Sequence, residues 1–197
     1  MFDMKARVIV ADSEHNADML YAVGIFIPDP FIYLECRGRS YAVLSELELD
    51  RARQHARVDR VLPYRHYYER AKQKLNRTPR LADVLNLVLE DYGVTQVEVP
   101  SHFPVGLARR IRARVKVVED AFFSQRETKT PAELRAIRAA LRLAETGLEA
   151  GLKVLRESKI RADRYLTWRG QRVTSELVRG VINATIAQHG GLAAHTI

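Results

Sequence analysis

TPAELRAIRAALRLAETGLEAGLKVLRES, residues 130–158, opens on a complete helix start signal. Thr130 can cap, Pro131 fits the first helical position, and Glu133 closes a Thr-x-x-Glu capping box. Leu134, Ile137, Leu141, Leu148, Leu152 and Leu155 then recur every three, four or seven residues. Arg135, Arg138, Arg142, Glu145, Glu149 and Arg156 fill much of the opposite side. This periodicity predicts one long amphipathic helix. Its apolar stripe is longer than a surface helix of average length carries, so it calls for a broad partner surface such as a sheet.

Working back from this helix, the preceding residues carry the signals of an α/β domain. Residues 7–11 (RVIVA) read as a short extended segment, and 19–27 (MLYAVGIFI) as a second apolar run that stops at Pro28-Asp29-Pro30. Two further runs, 31–36 and 40–45, flank Arg37-Gly38-Arg39 and predict a hairpin. A helix is expected over 46–56, with acids in its first turn and arginines later, and a strand over 58–62 ending at Pro63. A polar helix or irregular connection should follow over 64–75.

Thr78-Pro79 predicts a helix start, with Leu81, Val84, Leu85, Val88, Leu89 and Tyr92 on one face and Gly93 as a left-handed stop. A strand over 94–99, a basic helix over 103–113 and a strand over 115–118 complete the alternation. A mixed sheet, partly parallel, is the expected result, closing near residue 125. Downstream of the organising helix, Arg169-Gly170 sits between short extended stretches and predicts a small hairpin within 160–171. Thr174 or Ser175 should cap a last helix burying Leu177, Val178, Val181, Ile182 and Ile186, and 192–197 (LAAHTI) reads as the start of an apolar strand.

Composition narrows the function classes. The chain of 197 residues is 47% hydrophobic and 28% charged, as in a globular protein. No apolar run approaches the roughly 20 residues of a membrane span, and no signal-peptide pattern opens the chain, so the cytoplasm is the expected compartment. Cys36 stands alone, which excludes an internal disulfide and a multi-cysteine zinc site. The net charge of +8 divides into +2 over residues 1–125 and +6 over 126–197.

The residues Arg126-x-x-Lys129-Thr-Pro-Ala-Glu133-Leu134-x-x-Ile137-Arg138-x-Ala140 resemble the start of the catalytic domain in creatinase, prolidase and Xaa-Pro aminopeptidase relatives, the pita-bread metallopeptidases. Thr174-Ser175-Glu176-Leu177, Gly190-Gly191 and Ala194-His195-Thr196-Ile197 resemble the next helix and first sheet strand of that domain. Residues 1–125, with Glu48-Leu49-Asp50-Arg51-Ala52-Arg53 after the hairpin, are similar in layout to the family's N-terminal domain. The resemblance implies a creatinase/prolidase-like domain over 1–125 with a mixed sheet flanked by helices, and over 126–197 the first helices of a truncated pita-bread α+β domain.

It further implies a peptidase that hydrolyses the bond preceding proline with two divalent metal ions (manganese, cobalt or zinc) held by two aspartates, one histidine and two glutamates. Those ligands lie downstream of the matching region in the relatives, so the chain by itself is expected to be inactive. Asp163 is the one aspartate in 126–197, and His195 matches a strand residue upstream of the functional histidines; no catalytic, cofactor-binding or metal-ligating role is assigned to any residue here. A proline-containing peptide is the implied substrate and a homo-oligomer the implied assembly.

The other histidines, His15, His55, His66, His102 and His189, lack metal-site spacing, and no Walker, dinucleotide or Gly-x-Ser-x-Gly signature is present. The competing reading rests on Lys153, Arg156, Lys159, Arg161, Arg164, Tyr165, Trp168, Arg169 and Arg172, where aromatics sit among cations as in single-strand binders. Under it the chain is a non-catalytic module that binds a protein or nucleic acid through its basic second part. A hairpin set between two helices of a larger domain shows the same residues, and this reading is preferred over nucleic-acid binding. With its sheet missing, the chain should leave a large apolar patch and self-associate.

Overall fold

Residues 4–193 are described by a computed structural model, which divides into two compact units, one closing at Arg126 and the other opening at Glu127. The first is a mixed α/β unit built on six strands: β1 (Lys5–Ala11), β2 (Phe31–Cys36), β3 (Arg39–Leu44), β4 (Arg60–Pro63), β5 (Gln96–Pro100) and β6 (Arg114–Val118). Their order is β4-β3-β2-β1-β5-β6. β2 runs antiparallel to both β1 and β3, whereas the β3–β4, β1–β5 and β5–β6 pairs are parallel.

Side-chain alternation divides the apolar residues between the two faces of this sheet. Val8, Val10, Leu34, Val43, Val97 and Val99 pack with Val84, Leu85 and Val88. These three belong to α4 (Leu81–Asp91), which α3 (Tyr64–Leu75) accompanies. On the other face Ile9, Phe31, Tyr33 and Leu44 pack with Met19 and Val23 of α1 (Ala17–Val23), Ala52 of α2 (Leu49–His55), and Phe122 and Phe123. Each fully buried aliphatic side chain contributes on the order of 1.5–3 kcal/mol.

Local chemistry sets the element ends. Asn16 caps α1 by accepting from the Met19 N–H at 2.8 Å, and the helix closes at Gly24 with φ +73°. The left-handed backbone at Gly24 favours glycine, and a β-carbon there would also displace the Arg57 guanidinium, which lies 2.3 Å from its position. The β2–β3 hairpin turns on Arg37 and Gly38, both left-handed, as the tight two-residue turns of hairpins require. The 19–27 run is thus a short helix and a loop, because the Asn16 cap precedes it.

Several expected elements start or end elsewhere, among them β5 at Gln96–Pro100 and the 46–56 helix, whose α-helical part is Leu49–His55. β4 begins at Arg60 instead of 58 and includes Pro63. α4 begins at Leu81, not after Thr78, because Asp83 accepts from the Arg80 N–H at 2.7 Å and from Nη1 and Nη2 of Arg77, both at 2.9 Å. The basic helix over 103–113 shrinks to α5 (Val105–Ala108). Asn86 of α4 donates to the Arg110 carbonyl and accepts from the Arg112 N–H, both at 2.9 Å, and these bonds replace a further helical turn.

In the second unit α6 (Pro131–Glu157) carries the expected cap: Thr130 N–H donates to Glu133 at 2.8 Å and Thr130 Oγ1 accepts from the Glu133 N–H at 3.3 Å. Its 27 residues make a rod of about 40 Å. A three-stranded antiparallel sheet follows instead of a lone hairpin: β7 (Lys159–Ile160), β8 (Leu166–Trp168) and β9 (Gln171–Arg172). Thr174 caps α7 (Ser175–Gln188), which packs on α6. Leu192 and Ala193 are not in a strand, and the remainder of the expected 192–197 strand lies outside the described residues.

Candidate interaction surface

α6 meets α7 along a seam of small residues, not along its leucines. Gly147 and Gly151 are buried, and a β-carbon on either would come within 2.8–2.9 Å of Ile186 or Ile182. Val154, 1% exposed, completes the seam. At 100° per residue, Gly147, Gly151 and Val154 centre roughly 100° around the helix from the leucine stripe. The stripe therefore remains open: Leu134, Ile137, Leu141, Leu148, Leu152 and Leu155 are 36–57% exposed. A hollow of about 450 Å3 lined by Leu155, Val173, Val178 and Ile182 extends this apolar surface toward α7.

Half-exposed leucines in a continuous row retain on the order of 1 kcal/mol each to be gained by full burial. Scattered singly they would need no explanation, but a stripe along a whole helix is the pattern of a surface that receives a partner.

The basic run beside it is differently organised. The Arg172 guanidinium lies 3.5 Å from the Tyr165 ring centre and that of Arg169 lies 4.5 Å from the ring of Trp168. Trp168 Nε1 donates to Glu157 at 3.0 Å, Arg156 pairs with Glu149 at 2.7 Å, and Lys153 and Arg161 lie near Glu157 and Asp163. One face of each ring thus carries an internal cation, and several cations carry internal acids. This chemistry builds a small sheet with little apolar core.

The histidines disperse. His15 pairs with Asp12, His102 bonds Asn16, His189 bonds the Thr185 carbonyl of its own helix, and His66 sits edge-on to Tyr67. Among the described residues no three His, Cys, Asp or Glu side chains converge on a possible metal position. Asp163 accepts from the Tyr165 N–H at 3.3 Å and faces Arg161, a turn-forming role. Cys36 is buried, which pushes its thiol pKa up and disfavours the thiolate. His195 lies outside the described residues. No helix among the described residues is long and apolar enough to cross a membrane.

Sequence reading missed a polar row across the first unit. Ser40, Glu35, Arg7, Glu98 and Lys116 are register partners on five adjacent strands. Arg7 lies 3.6 Å from Glu35, and Lys116 lies 3.2 Å from Glu98. Phe122 and Phe123 cover Arg7, their ring centres 4.2 and 4.5 Å from its guanidinium carbon. The charges alternate in sign, so each stabilises its neighbours across the strands.

Neither family models nor curated protein sequences match this chain. Among solved structures it is similar to the Xaa-Pro dipeptidase from Bacillus anthracis (TM-score 0.69, 11% identity, 94% of this chain and 45% of that one). It is also similar to the X-Pro aminopeptidase from Thermotoga maritima MSB8 (0.65, 14%, 94% and 47%) and the prolidase from Pyrococcus horikoshii OT3 (0.64, 17%, 94% and 45%). The chain spans a little under half the length of each. At these identities the likeness establishes a shared fold, in which a six-stranded mixed sheet is flanked by helices.

Proposed function

We propose that this chain supplies the N-terminal part of a proline-specific metallopeptidase of the Xaa-Pro aminopeptidase or dipeptidase kind. Residues 1–125 form its creatinase/prolidase-like domain, and 126–197 the opening helices of its pita-bread domain. The observation that carries the reading is the open leucine face of α6, on a helix whose caps and glycine seam are complete. A helix finished at both ends and along one flank, yet apolar along another, is built to bear on a further layer. The shared fold over a little under half of three Xaa-Pro peptidases supports the identity of that layer as a catalytic sheet.

Two divalent ions would polarise the scissile carbonyl and supply a hydroxide in such an enzyme. The described residues do not fit them: no His, Cys, Asp or Glu group converges, and Asp163 is committed to its own turn. The role of this chain is then to shape the substrate approach for a proline-containing peptide, within a cytoplasmic homo-oligomer. By itself it should release no amino acid from an Xaa-Pro peptide at any manganese, cobalt or zinc concentration.

Two measurements test this. The gene beyond the Ile197 codon should encode two aspartates, a histidine and two glutamates in that order; a stop codon would argue instead for the non-catalytic module. Sedimentation of the isolated chain should show self-association, with bound hydrophobic dye, that Leu141→Glu and Leu148→Glu together abolish. A stable monomer that binds no dye would sink the proposal.

A further inference from the structure

We propose that the outer edge of β6 receives an acidic peptide segment in extended conformation, added as a seventh strand to the sheet of the first unit. The sheet ends at β4 on one side and β6 on the other. β4 is four residues long and ends at Pro63, which has no N–H to offer. β6 is different. The Arg114 N–H donates to the Thr95 carbonyl at 2.8 Å, so the backbone groups of Arg114, Lys116 and Val118 turn toward β5. Those of Val115 and Val117 therefore turn outward, with no strand beyond them among the described residues. Val117 is 46% exposed, which leaves the edge physically open.

Charge selects the occupant. Arg109, Arg110, Arg112, Arg114 and Lys116 fall within eight residues leading into and along this edge. Lys116 is matched by Glu98, and Arg110 donates to the Gly106 carbonyl. No carboxylate pairs with Arg109, Arg112 or Arg114 among the described residues, and all three are exposed. Lysines and arginines on an edge commonly serve only to repel other strands. Here the start of β6 also borders a hollow of about 260 Å3 lined by Asn86, Leu89, Glu90, Val94, Thr95, Arg112 and Ala113, with Glu90 matched by Lys74 at 3.4 Å, which leaves room for one apolar side chain beside the Arg112 cation. Glu119 and Asp120 follow the strand, so the acids of the segment belong at the Arg112–Arg114 end. Strand addition supplies the main-chain hydrogen bonds, and the arginines supply the preference for acids.

The probe is a fluorescein-labelled peptide alternating glutamate with valine, titrated into the whole chain and followed by fluorescence polarisation. Its counterpart with lysine for glutamate and a short oligothymidylate serve as comparisons. The expected result is that only the acidic peptide binds, and that amide hydrogen exchange at Val115 and Val117 slows in the complex. Val117→Pro removes an outward N–H without breaking a β5–β6 bond, and Arg112→Glu with Arg114→Glu reverses the charge; each should weaken binding at least about tenfold. Binding that survives Val117→Pro, tighter binding of the oligothymidylate, an edge already protected by a second copy of the chain, or no binding at millimolar peptide would each overturn the assignment.

Discussion

Gly147, Gly151 and Gly180 all sit inside helices, and their surroundings give opposite expectations for the same substitution. Nothing lies within 4 Å of a β-carbon built at Gly180, so Gly180→Ala should stabilise the second unit by roughly 0.5–1 kcal/mol through helix propensity. At Gly151 the same methyl meets Ile182 carbons at 2.9 Å, and overpacking of this kind costs roughly 1–3 kcal/mol, which outweighs the propensity gain. Urea titrations of both variants should therefore move in opposite directions. A second residue-scale expectation concerns acid. Hydrogen bonds from Arg77 hold the Asp83 carboxyl below the usual range, and those from Arg70 do the same for Asp91. A pKa lowered in the folded chain gives stabilisation that is complete above the ordinary carboxyl value near 4 and is lost as pH falls through the folded one. The first unit should lose stability below about pH 4, and Asp83→Asn with Asp91→Asn should flatten that loss in denaturant midpoints measured against pH.

At the scale of the element, α6 shows which sequence signals carry through to structure. Thr130, Pro131 and Glu133 are close neighbours that specify a local bond, and the helix starts where they place it. Thr130→Ala should cost about 1 kcal/mol, read as a lower denaturation midpoint of the second unit. Leu148→Ala, on the open face, should cost less than Val154→Ala, on the seam, although leucine loses one more carbon. The apolar stripe itself was legible, but its neighbour was not: the periodicity marks leucines, while the seam is made by glycines that no hydrophobic pattern records. The overlong 103–113 helix has a similar cause, since the side chain that ends it, Asn86, lies 24 residues before the carbonyl it binds.

For the molecule, fold class followed from the alternation of short apolar runs and capped helices, because each is a property of adjacent residues. The polar row from Ser40 to Lys116 was invisible, since it exists only once strands far apart in the chain are in register. The same limit hid the basic edge of β6, since Arg109, Arg110 and Arg112 read as part of a basic helix over 103–113. Phe122 and Phe123 show what such long-range contacts accomplish. They close over Arg7 while Arg126 pairs with Asp18, so the first unit fastens the chain to itself right up to its own last residue. Trypsin should consequently nick after Lys129 before it reaches Arg126, releasing a folded product, and Phe123→Ala should let the cut creep inward. The aromatic pair would then act as a selvedge, the finished border that keeps a woven edge from unravelling when the cloth beyond it is pulled away.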